Sequence, residues 1–267
     1  MIVKSLLIAA LVLSQANINK LKHLVFGVGS PPVSMAYAAE KWTAKDSYYR
    51  DGWNRIRPQV SRVGGDSALD ALLKYQDASL KDPKNPHKAY DWGIAMFNCA
   101  YPYVVGLGEM QRYASVRYAL ATAKDPKEPE YERLRFLMEC CLGLTGKDFH
   151  SLKVAGYKLM AVFPKDMMVP YYLLMAMTSD KASLSEAEVL AEAQVHFHPG
   201  NFELVRAWSG IAGAKYYATL KKEDLLEAIR RTRHVIDIAP TDLPKAETES
   251  IARYLRLAES IRVSKGW

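Results

Sequence analysis

Ala71 to Pro86 reads ALLKYQDASLKDPKNP, and forty-three residues later Ala114 to Pro129 reads ASVRYALATAKDPKEP. Both copies carry alanine, an aromatic residue four positions on, alanine three further and proline five beyond: Ala71, Tyr75, Ala78, Pro83 and Ala114, Tyr118, Ala121, Pro126. Residues at i, i+4 and i+7 share one helical face, and proline ends a helix because its ring clashes with the preceding turn and it has no amide donor. The spacing therefore predicts a helix with a small-aromatic-small face, closed by a Lys-Asp-Pro turn. Small residues on such a face let a neighbouring helix approach closely.

Prolines at 83, 126, 164, 199 and 240 extend the pattern, standing 43, 38, 35 and 41 residues apart. Spacing of that order belongs to stacked helix pairs. Between the prolines the apolar periodicity predicts successive helices. An interrupted helix runs from Ala39 to Arg62, followed by one ending near Leu80 after Gly64-Gly65. A nearly all-apolar helix begins near Pro86 and is paired with 109–124. Further pairs are Tyr131–Leu144 with Phe149–Phe163, Tyr171–Thr178 with Ser185–Phe197, and Phe202–Tyr217 with Asp224–Ile238. Ser183 and Ser185, each followed three residues later by glutamate, have capping-box spacing. Lys245 to Val263 is amphipathic, with Ile251, Tyr254, Leu255, Ala258 and Ile261 on one side and Arg253, Arg256, Glu259 and Arg262 on the other, as a capping helix of an array requires.

These units resemble the tetratricopeptide-repeat family. Gly146-Lys-Asp-Phe149 matches its inter-helix turn, and Ala71–Pro83 and Ala114–Pro126 match its second helix. Trp92 and Trp208, each nine residues after a closing proline, fall on first helices. The resemblance covers residues 60–263. It implies an all-α, right-handed superhelical solenoid of antiparallel helix pairs, with four to five units and a C-terminal cap, occupying 39–267. It also implies that first helices line a concave groove. The aromatic and basic residues expected there are Tyr90, Phe97, Tyr101, Tyr172, Arg206, Tyr216 and Tyr217, which suit a protein or peptide partner because tyrosine offers a rigid contact area with a polar tip.

Residues 1–38 read as targeting sequence: Lys4 precedes the apolar run Ser5–Leu13, and Ala36-Tyr37-Ala38 forms a cleavage signal, with an earlier one ending at Ala16. The expectation is export to the periplasm or the outside, with an uncleaved N-terminal anchor as the alternative. The chain has 267 residues, a formal charge of +7 and 24% charged residues. Acids are interspersed with the bases, so a mixed solvated surface is expected instead of a nucleic-acid patch, while the positive balance leaves room for peripheral membrane association. Arg230, Arg231, Arg233 and His234 read as part of a solvated convex face.

No cofactor or metal is expected. Cys99, Cys140 and Cys141 fall on neighbouring first helices out of register and read as packing residues. His196-Phe-His198 lacks further ligands at metal spacing, and Gly143–Lys147 departs from a phosphate loop at two positions. No nucleophile elbow, metalloprotease helix or dinucleotide glycine pattern occurs. The expected function is that of a non-enzymatic scaffold which binds its partner in the groove and helps assemble an envelope or secretion complex. The alternative is a helical enzyme or carbohydrate-handling domain with a site of scattered residues.

Overall fold

The computed structural model describes residues 47–60, 66–99, 107–125, 128–143, 146–241, 243 and 245–267. The targeting segment 1–38, Tyr101 and Pro126 lie outside them. The described residues are all-α: α1 (Ser47–Val60), α2 (Asp66–Lys81), α3 (Pro86–Asn98), α4 (Leu107–Thr122), α5 (Pro129–Leu142), α6 (Gly146–Val162), α7 (Met168–Thr178), α8 (Leu184–Phe197), α9 (Phe202–Thr219), α10 (Lys222–Asp237) and α11 (Lys245–Ser264), with a 3-10 turn at Lys181–Ser183. They gather into two compact units that divide between Val169 and Pro170.

Local chemistry explains the helix ends. The Asp82 carboxylate lies 3.0 Å from the Lys88 ammonium and accepts from the Asn85 amide, while the Asn85 side-chain oxygen accepts from the backbone N–H groups of His87 and Lys88. The KDPKNP segment is thus both a stop and a start. Proline closes α2, and Asn85 caps α3 with Pro86 in its first turn, where the missing donor costs nothing. In the second copy Glu128 occupies the Asn85 place and makes no side-chain cap to α5. The capping boxes expected at Ser183 and Ser185 are not what begins α8. Ser183 is the N-cap without a side-chain bond to the helix, and its hydroxyl donates to Asp180 instead. Pro58 sits within the last turn of α1, which continues to Val60.

In the unit ending at Val169, α1 packs on α2 and α3, α3 on α4 and α5, and α5 on α4, α6 and α1. The core is a tyrosine column. Tyr49, Tyr90 and Tyr131 stand forty-one residues apart on α1, α3 and α5 and are almost fully buried. The Tyr49 ring meets Tyr90 edge-on at 4.8 Å and Tyr131 edge-on at 5.8 Å, and Tyr90 stacks on Tyr131 at 6.1 Å. Each inner hydroxyl finds a backbone acceptor: Tyr90 donates to the Tyr49 carbonyl at 2.7 Å and Tyr131 to the Leu120 carbonyl at 2.9 Å. Burial pushes all three phenols far above their ordinary pKa, so they remain donors.

Glycines follow the same forty-one-residue register. A Cβ on Gly52 of α1 would stand 2.7 Å from the Tyr90 ring, and one on Gly93 of α3 would stand 2.7 Å from Leu134 and 3.3 Å from Val116. Two successive first helices therefore meet their neighbours through a glycine.

The small-aromatic-small face expected on α4 is not its packing face. Ala114, Tyr118 and Ala121 are exposed, Tyr118 by 73%, whereas Val116, Leu120 and Ala123 are buried. On α2 the buried residues are Ala68, Leu72 and Ser79, so the two copies present faces about one residue out of step. One residue is about 100° of rotation, enough to turn a repeated ring from a half-buried place to solvent.

In the unit beginning at Pro170, α9 packs on α8 and α10, and α11 on α10. Phe202 and Val205 pack with Val235, and Tyr216 with Leu225, Ile229 and Ala258. The Tyr254 ring of α11 fits against Gly213 of α9, again where a Cβ would collide. On α11 the apolar side packs inward, with Ala258 buried beside Leu255 and Ile261, while Glu259 of its charged side pairs with Arg233 of α10 and with Arg262.

Candidate functional site

The amino acids of α10 set up a divided helix. Arg230, Arg233, His234 and Asp237 follow the spacing i, i+3, i+4 and i+7 and share a face, while Arg231 lies about 100° away. Arg231 is buried and multiply held. Its Nε donates to Glu227 at 2.6 Å, a terminal nitrogen to Glu188 of α8, and another to the Trp208 carbonyl at 3.3 Å. Its guanidinium also lies 3.9 Å above the Trp208 ring, so the indole face, itself electron-rich, meets a cation. This cluster locks α8, α9 and α10 together. Ser209 and Thr232 join α9 to α10 beside it by a buried hydroxyl bond of 2.8 Å.

The outer face of α10 lines a cleft of about 710 Å³ with Val195 of α8, Trp208 of α9, and Glu259 and Arg262 of α11. That size falls within the range of small-ligand pockets. Val195, Trp208, Leu226 and Ile229 supply apolar lining; Arg230, Arg233, His234 and Arg262 supply donors. Glu259 accepts from Arg233 and, at 2.8 Å, from Arg262, which hold its carboxyl below the usual range. Glu227, bound by Arg230 and Arg231, is pulled down to about 2. Two guanidiniums share Glu259, each with further N–H groups. The cleft can therefore offer hydrogen bonds to an anionic group beside an apolar floor.

Comparison with known proteins adds no relative. No family model, no curated protein and no solved structure matches this chain.

The residues expected in a groove have separate fates. Tyr90 and Tyr216 are core residues, 0% and 4% exposed, and are corrected from groove positions to packing positions. Hydrophobic periodicity alone could not separate them from surface tyrosines, although the forty-one-residue interval between Tyr49, Tyr90 and Tyr131 was a signal for the core. Phe97 is half-buried and edge-on to Trp53 at 5.6 Å. Tyr172 is half-buried beside Tyr171 at 5.1 Å. Arg206 lies 3.8 Å from Glu203, and Tyr217 is half-buried against Tyr216 at 5.3 Å. Arg206 and Tyr217, eleven residues apart on α9, share a helical face.

The basic cluster of α10, expected to be a solvated convex face, instead divides between the cleft and the interior. Its signal in the sequence was the phase of Arg231 against Arg230 and Arg233. Among the described residues the three cysteines are free thiols, with burial raising the Cys140 pKa, and no trio of histidine, cysteine or carboxylate residues gathers to hold a metal. No described helix is long and apolar enough to cross a membrane.

Proposed function

We propose that this protein is an exported helical-repeat scaffold, a right-handed solenoid of tetratricopeptide-like helix pairs, that binds a protein or peptide partner and helps assemble an envelope or secretion complex. The observation that carries the proposal is the register of α1, α3 and α5. Tyrosines forty-one residues apart meet in one column, and glycines in the same register admit the next helix. Repeated contacts of this kind belong to arrays whose units stack on their neighbours, and such arrays work by presenting an extended surface. Arg206 and Tyr217 on one face of α9 are partner-binding candidates in this reading.

The test is a crosslinking pull-down from the native envelope with the full-length chain as bait, followed by reconstitution of the captured protein with purified chain. A protein that is recovered specifically, binds the purified chain, and is weakened by Arg206→Ala/Tyr217→Ala is the expected result. Failure to reconstitute any captured protein overturns the scaffold reading.

A further inference from the structure

Glu188 and Glu192 stand one turn apart on α8 and lean on the same guanidinium. Glu188 contacts Arg231 of α10, and Glu192 Oε1 lies 3.9 Å from the same terminal nitrogen. The two carboxyl groups are also in hydrogen-bonding contact with each other. Glu188 is the inner of the pair, 12% exposed at the side chain against 57% for Glu192. Its second oxygen, Oε2, is buried, and no described residue donates a hydrogen bond to it; the Lys215 ammonium of α9 stands 3.8 Å away, too far for one. A buried acceptor left without a donor is costly. Two ionised carboxylates are both acceptors, so their contact becomes a hydrogen bond only when one of them carries a proton.

We propose that Glu188 and Glu192 share a proton, and that this proton is a pH-sensitive latch fastening α8 to α9 and α10. Glu192 carries it and supplies the donor that Glu188 lacks, while Glu188, paired with Arg231, is the acceptor. The charged groups around the pair are Lys215 of α9, Arg231 and Glu227 of α10, and Arg230, which is bound to Glu227. His196 stands one turn further along α8, and Lys181 lies in the 3-10 turn before it. Partial burial, and then the charge of Glu188, push the Glu192 carboxyl above its ordinary 4.5, against the pull of Arg231 and Lys215. Below 4.5 Glu192 is protonated whether folded or unfolded, and the latch is closed. As pH rises through the raised folded-state value the proton leaves, two like charges remain in contact, and the contribution is lost. Glu227 and Glu259 run the other way, and their titration lies below the window in which Glu192 loses its proton. Mild acid therefore tightens the α8 contact, whatever partner the protein binds.

The test is a carbon-13 NMR titration of the glutamate carboxyls in the full-length chain, where each reports its own protonation. Glu192 should titrate above 4.5. Glu188→Gln removes the neighbouring negative charge and should bring Glu192 down, whereas Lys215→Met removes an opposing cation and should push it higher still. A misfolded protein would return Glu192 to its ordinary value in both variants, so opposite displacements separate the pairing from a folding defect. Hydrogen exchange of the α8 amides, corrected for intrinsic rate, then reads the latch itself. Opening should be about threefold rarer near pH 4.5 than near pH 7. Glu192→Gln, whose amide donates at every pH, should keep the rarer opening throughout. An ordinary titration of Glu192 in the native chain overturns the proposal. So does a pH dependence of α8 opening that survives Glu192→Gln, or one that disappears with His196→Gln while Glu192 is intact.

Discussion

Arg231 shows how much one residue's neighbours matter. It differs from Arg230 and Arg233 only in helical phase, yet it is buried against Trp208 and paired with Glu188 and Glu227 while they reach solvent. Taking away one member of a buried pair leaves its partner's charge desolvated, whereas taking away both removes the problem. Arg231→Met should therefore cost about 3 kcal/mol in urea unfolding, and adding Glu188→Leu should recover a substantial part. A double variant no more stable than the single one would show that Glu188 is not held by Arg231. Glu227 makes a separate, pH-dependent prediction. Its folded-state pKa of about 2 lies below its ordinary value of 4.5, so its contribution is complete above about 4.5 and is lost as pH falls towards 2. Glu259 acts in the same direction. Glu227→Gln should flatten the stability profile between pH 4.5 and 2 and leave the slope near neutrality unchanged; an unaltered acid limb would refute the pairing.

Helix elements were the most readable part of the chain, because proline, asparagine and apolar period act locally. The expected spans 202–217 and 245–263 differ from α9 and α11 by two residues and one at their C-terminal ends. Faces were less readable. Tyr118 repeats Tyr75 in the sequence but is solvent-exposed, since its phase on α4 depends on where α3 and α5 press. Glycines expose the same dependence. Gly93→Ala gains about 1 kcal/mol of helix propensity but drives a methyl into Leu134 and Val116, an overpacking cost of about 1–3 kcal/mol. Because both neighbours are fully buried and cannot swing away, the net effect should be destabilising by about 1 kcal/mol. Gly200→Ala, with open space around its Cβ, should not destabilise. Equal melting shifts for the two would contradict the close approach at Gly93. At the end of α9, Leu220 adopts a left-handed conformation with φ of 54° while 59% exposed. Leu220→Gly should raise stability by about 0.5–1 kcal/mol, because glycine enters that region without a Cβ clash.

On the scale of the molecule, each of the two units carries its own apolar clusters. In the second these are formed by Phe202, Val205 and Val235 and by Tyr216, Leu225, Ile229 and Ala258. Residues 170–267 expressed alone should give a helical circular-dichroism spectrum and a cooperative melt; a featureless melt would show that this core does not suffice. The sequence by itself determined the all-α class, the succession of helices and the prolines between them, because capping, chain stiffness and apolar period are set by residues within a few positions of one another. Only the tertiary structure decided that Tyr90 and Tyr216 are core, that Tyr118 faces solvent, and that the arginines of α10 divide between a buried lock and an open cleft. Those outcomes depend on rotations of about 100° per residue and on neighbours dozens of positions away, and a local pattern carries neither.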